Sequence, residues 1–177
     1  MTTGTPSAAE PAAPGRRRSA ARLGAVQALY QAEVTGAGVE TVLKDFRPRR
    51  LAGEALTDDP ETEREVAVPL VEPDFDLLAA IVRGATARRE DLDGMIAGAL
   101  SADWTPERLE LIIRSILRAG TFELLERGDV PLRVVITEYV DVAHAFYGGP
   151  EPGLVNAVLD RIGRLVRPDE RGAKGGR

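Results

Sequence analysis

Along the second half of the chain apolar residues recur at three- and four-residue steps, the spacing that gathers them on one face of an α-helix. Leu109, Ile112, Ile113, Ile116, Leu117, Gly120 and Leu124 make one stripe. Thr105-Pro106-Glu107 precedes it and reads as its start: a capping hydroxyl, a proline where no amide hydrogen is needed, then an acid. Gly128 closes that helix and Pro131 opens the next, whose stripe is Leu132, Val135, Ile136, Tyr139, Val140 and Ala143. Gly148-Gly149-Pro150 ends it, and a last stripe of Leu154, Val155, Val158, Leu159, Ile162 and Val166 stops before Pro168. Pro73, followed by Asp74 and Asp76, opens an earlier helix, and residues 19–35, 37–46 and 88–101 carry weaker helical patterns. No alternating pattern lasts more than a few residues. The expectation is an all-α fold, a helical bundle of about seven helices in two small subdomains.

The remaining stretches lack periodicity. Residues 1–15, MTTGTPSAAEPAAPG, read as a disordered N-terminal arm, and residues 168–177 as a disordered tail, leaving 16–167 as the helical domain. Residues 47–72 hold Pro48, the acidic run Asp58-Asp59-Pro60-Glu61 and a Val-Ala-Val-Pro segment. They read as an extended surface insert between two helical groups.

Composition narrows the chemistry. A hydrophobic fraction of 44% in 177 residues suffices for a real core. No cysteine is present, which removes disulfides and thiol nucleophiles and fits a reducing, cytoplasmic setting. No run approaches the roughly 18 apolar residues of a membrane span, and the N-terminus meets arginines before any apolar stretch, unlike a secretory signal. The single histidine, His144, has no plausible serine partner in a nucleophile elbow and reads as an ordinary surface or half-buried residue. One histidine and no cysteine make a zinc site untenable, and Asp58, Asp59, Glu61, Glu63 and Glu65 read as a solvated acidic loop. The glycines at 148, 149 and 153 match no phosphate-binding fingerprint. No catalytic residue, metal or cofactor is expected.

Nucleic-acid binding has better support. A net charge of −5 argues against a surface basic all over but leaves room for a local site. Arg16-Arg17-Arg18 stands at the mouth of the first helix with Arg22 one turn on. Guanidinium groups stay charged and pair with phosphate oxygens, although an arginine cluster can also serve only to solubilise a chain end. The dipole at a helix start repels cations, so a cluster held there calls for an external anion.

These residues resemble the NusB family of transcription antitermination factors. The match runs through Arg16-Arg17-Arg18, Arg22 and Ala25-Val26-Gln27-Ala28-Leu29-Tyr30-Gln31, then Ile116-Leu117-Arg118-Ala119-Gly120-Thr121-Phe122-Glu123-Leu124. It continues through Asp129-Val130-Pro131, Val135-Ile136-Thr137-Glu138-Tyr139-Val140 and Val155-Asn156-Ala157-Val158-Leu159-Asp160, in family order over residues 16–166. The resemblance implies binding of single-stranded boxA-type RNA in ribosomal RNA leaders, together with ribosomal protein NusE, within the transcription elongation complex. It suggests Arg16, Arg17, Arg18, Arg22 and Asn156 for RNA, and Tyr30, Arg118 and Glu123 for the protein partner. Leu154 stands where the family signature has Phe, which removes a ring on which a base could stack.

Several residues admit a second reading. Asn156 could bridge helices, Arg118 could be a buried structural pair, and Glu138 could pair with a neighbouring arginine. Phe122, Tyr139 and Trp104 read as core anchors. Two further hypotheses stay open: a helical relative of ribosomal RNA cytosine methyltransferases, and a protein-binding homodimeric scaffold.

Overall fold

The computed structural model describes residues 12–47, 54–58, 65–69, 71–102 and 104–172. Most of residues 1–15, part of the 47–72 insert and the last five residues fall outside them, so the disorder expected of arm and tail is not addressed there.

Seven α-helices carry the described chain: α1 (Pro14–Thr35), α2 (Val39–Asp45), α3 (Phe75–Ala87), α4 (Arg89–Ala99), α5 (Leu111–Glu126), α6 (Leu132–His144) and α7 (Glu151–Val166). Short 3₁₀ turns cover Pro106–Arg108 and Pro168–Gly172. Within the insert, β1 (Glu54–Asp58) pairs antiparallel with β2 (Glu65–Pro69), Leu56 opposite Ala67. The expected extended connection is therefore a paired two-stranded ribbon beside an all-helical body.

Helix α5 is the axis. It packs against α1, α3, α4, α6 and α7, while α1 lies on α3, α5 and α6. One contiguous apolar core includes Val26, Leu78, Ile81, Ile116, Leu117, Tyr139, Val158 and Leu159. Close approach needs small residues. A Cβ on Gly84 of α3 would lie 2.1 Å from the Phe122 ring of α5, so a larger residue there would force that ring to move. Gly36 ends α1 in the left-handed conformation (φ 69°), its amide donating to the Ala32 carbonyl.

Three expected boundaries move. Helix α1 begins at Pro14, so the triple arginine lies within its first turns and not before it. Asp74, not Pro73, opens α3, its carboxylate accepting from the Leu77 amide. Thr105-Pro106-Glu107 forms only the 3₁₀ turn; the Thr105 side chain makes no capping bond, Leu109 is extended (ψ 142°), and α5 starts two residues later. Trp104, expected in the core, is 46% exposed.

The chain is also ordered past Val166. Arg167 is buried and spends all five of its N–H groups. Nε donates to the Leu124 carbonyl, Nη2 to those of Glu123 and Arg127, and Nη1 to the Val130 carbonyl and the Glu170 carboxylate. Glu170 in turn accepts from the Leu132 amide at 2.7 Å. The last carbonyls of a helix and the first amides of the next have no partner inside their own helix. This one ion pair satisfies groups at both the end of α5 and the start of α6, so the expected tail from residue 168 is in part a structural clasp.

Candidate nucleic-acid interface and partner groove

Four arginines of α1 were expected on RNA, and the structure divides them. Arg16 and Arg18 are exposed, and among the described residues neither makes an ion pair. Arg17 is half-committed, its Nε donating to the Glu72 carbonyl at 3.3 Å while its own carbonyl accepts from the Asp74 amide at 3.0 Å. Those two bonds dock the start of α1 onto the segment leading into α3. No acid occupies the first turn of α1 and no side chain caps it. Unpaired guanidiniums therefore sit beside the uncapped positive end of a helix, an arrangement suited to an anion.

Arg22 is different and corrects the expectation. It is 3% exposed. Its Nε and Nη2 donate to Glu123 Oε2 and Oε1 at 2.7 and 3.0 Å, and its Nη1 to Glu138 at 3.1 Å. Tyr139 donates its hydroxyl to the same Glu123 oxygen, Oε2, at 2.7 Å. Burial works against the Arg22 charge, but the bonds to Glu123 and the field of Glu138 outweigh it and hold the guanidinium charged beyond its ordinary range. Burial, reinforced by Glu123, pushes the Tyr139 phenol well above its usual value. The group bolts α1 to α5 and α6 and has no face for phosphate.

Glu123 and Arg118, expected on the partner side, are buried too. Glu123 is 0% exposed inside the Arg22 group. Arg118 grips Asp93 of α4 with Nε and Nη2 at 2.7 and 2.8 Å, and Glu33 of α1 with Nη1 at 2.5 Å. Arg114 reaches the same Glu33 at 3.3 Å and Arg89 at 3.4 Å. The cause of both misplacements is the same. Helix α5 packs on five neighbours, so Arg118 and Glu123 in its middle point inward and must find partners there, while Glu126 at its end stays exposed.

Asn156 is exposed on α7, which packs on α4, α5 and α6, and it makes no side-chain hydrogen bond among the described residues. His144 is exposed at the end of α6.

Tyr30 is 41% exposed and lines a groove of about 960 Å³ between α1, the start of α5 and the residues after α6. Val34, Phe46, Ile112 and Phe146 give it an apolar wall. Phe146 escaped the sequence reading because it lies past the last regular position of its stripe. Among the described residues no group of acids and histidine could hold a metal, and no helix is long and apolar enough to cross a membrane.

Comparison with known proteins fits this arrangement. A sequence model of the NusB family matches residues 19–164. The transcription antitermination protein NusB of Rhodospirillum rubrum is 50% identical over 162 residues, 88% of each chain. That of Sinorhizobium fredii is 46% identical over 169 residues, 96% of this chain and 99% of its own. Among solved structures, NusB from T. maritima superposes with a TM-score of 0.67 at 24% identity, covering 87% of this chain and 96% of that one. The fold also matches a chain from a complex of antitermination factors NusB and NusE with double-stranded RNA, with a TM-score of 0.65 at 21% identity, covering 85% and 98%. The protein thus belongs to the NusB family.

Proposed function

We propose that the protein is a transcription antitermination factor, not an enzyme, which binds RNA together with the ribosomal protein NusE. The observation that carries this reading is likeness over nearly the whole chain to proteins bearing that name, one of them 50% identical. A methyltransferase relative is not favoured, since the match covers 88% of that protein's own length. On this reading Arg16 and Arg18 neutralise phosphates of a single-stranded boxA-type leader, Arg17 adds a partial contact, and Asn156 offers an amide to a base or sugar. The groove beside Tyr30 faces NusE, with a second copy of this chain as the competing occupant. The assembly acts in the cytoplasm on an elongating RNA polymerase, which then reads through terminators.

The test is titration of a labelled boxA RNA with the purified chain, alone and with NusE. Weak binding alone that tightens about tenfold or more with NusE, a coupling of roughly 1.4 kcal/mol, is expected. Absence of RNA binding in both titrations contradicts the proposal.

A further inference from the structure

The negative charge of this protein is gathered in one place. Residues 54–72 hold seven carboxylates against one cation, Arg64, a net −6, whereas the whole chain carries −5. The rest of the molecule is therefore at +1. The exit of this acidic insert is fixed at the arginine end of α1. The Glu72 carbonyl accepts from Arg17 Nε at 3.3 Å, and the Asp74 amide donates to the Arg17 carbonyl at 3.0 Å.

Chain length then bounds where the ribbon stands. Pro69, the last residue of β2, precedes Glu72 by three residues, so at most about 11 Å separates them. Glu54 pairs with Pro69 across the ribbon, about 5 Å further. Asp58 and Glu65 lie directly opposite each other at the other end of the ladder, about 13 Å along it. Arg16 and Arg18 make no ion pair among the described residues, so these acids are not taken up in neutralising them. Nor, among the described residues, is any group of acids arranged to hold a metal. What remains is an uncompensated negative field beside the exposed guanidiniums. Such a field reaches about 8 Å at physiological salt and about 30 Å at 0.01 M.

We infer that the insert sets the strength of RNA binding: its carboxylates, tied beside Arg16 and Arg18, repel the phosphates that run past the start of α1. The force is blind to base sequence, so it lowers affinity for every RNA strand by the same factor. Its use is to keep unrelated transcripts from being held by phosphate contacts alone. This deepens the proposed function, since it rests on the RNA binding named there.

The experiment titrates a boxA RNA and an oligouridine of equal length, with and without NusE, across a salt series. The full chain is compared with a variant neutralised in the insert, Glu54→Gln, Asp58→Asn, Glu65→Gln and Glu72→Gln. Neutralising Asp58 and Glu65 relieves a like-charge pair across the ribbon, and Glu72 holds Arg17 through its backbone, so the fold is kept, which circular dichroism verifies. A control neutralises four exposed acids at the far end of α1, Glu40, Glu90, Asp91 and Glu126. Arg89 ties that region to Glu33, sixteen residues and about 24 Å along the helix from Arg17. The insert variant binds both RNAs about fivefold tighter at about 0.05 M salt, its affinity falls more steeply with salt, and the two chains converge near about 0.4 M. The control changes affinity less than about twofold. Equal affinity of wild type and insert variant at every salt overturns the inference while the proposed function stands. Weaker binding by the insert variant, or a control that tightens as much, overturns it too. Absence of RNA binding by all three chains, alone and with NusE, overturns both.

Discussion

Arg18 and Arg22 stand one turn apart on the same helix, yet they belong to different parts of the molecule. Arg18 is exposed and unpaired among the described residues, whereas Arg22 is sealed between Glu123, Glu138 and Tyr139. The helix start leaves Arg16 and Arg18 exposed while Arg17 docks on the segment leading into α3, and one turn later the same helix enters the core against α5 and α6. An arginine motif read as one unit thus splits into an exposed pair, a half-committed Arg17 and a bolt for the fold. Charge alone does not say which; the depth of the helix in the bundle does.

The largest expected effect follows from the bolt. Arg22→Ala leaves Glu123 fully buried without its cation and destabilises by about 3–5 kcal/mol, read by urea unfolding. A sharper version replaces the whole group by apolar residues. The triple variant Arg22→Met, Glu123→Met, Tyr139→Phe stays within about 1–2 kcal/mol of wild type or exceeds it, because no fully buried charge is left stranded and Glu138, which loses Arg22, keeps 25% of its side chain in solvent. If the single and triple variants lose equal stability, the cost is a cavity and not an unpaired carboxylate.

The clasp comes next. Arg167→Ala removes the guanidinium from the carbonyls of Leu124 and Val130 and the second donor from those of Glu123 and Arg127, which keep the Arg127 and Val130 amides, and costs about 2–4 kcal/mol, with faster amide exchange around the α5–α6 turn. A loss within experimental error would mean that water replaces the guanidinium at no cost.

Much of this was legible in the sequence, for physical reasons that also mark where reading stops. Helices α6 and α7 each bury one stripe, so their apolar periods gave their positions. Helix α5 has a stripe too, yet it is packed on nearly all sides, and the residues between stripe positions, Arg118 and Glu123, are inside. Periodicity predicts a wet face there and cannot show that another helix covers it. The start signal at Thr105 was sound chemistry that local geometry spent on a 3₁₀ turn. Arg167 was invisible because its partners are backbone carbonyls 37 to 44 residues away, plus one carboxylate beyond the last stripe. At the candidate interface, exposure of Arg16 and Arg18 followed from their place near the start of α1, whereas the groove needed four separate segments brought together.

Arg16→Ala with Arg18→Ala is the mildest change to the fold and the most direct test of the function. Stability stays within about 0.5 kcal/mol of wild type, since neither side chain makes an ion pair or side-chain hydrogen bond among the described residues. The deciding measurement is single-stranded RNA affinity of this double variant and of wild type across a salt series. Loss of two phosphate contacts lowers affinity and flattens the dependence of log affinity on log salt by about 1.4, near 0.7 for each contact on a single strand. A double variant with the wild-type affinity and the wild-type slope would contradict the assignment of these arginines to RNA.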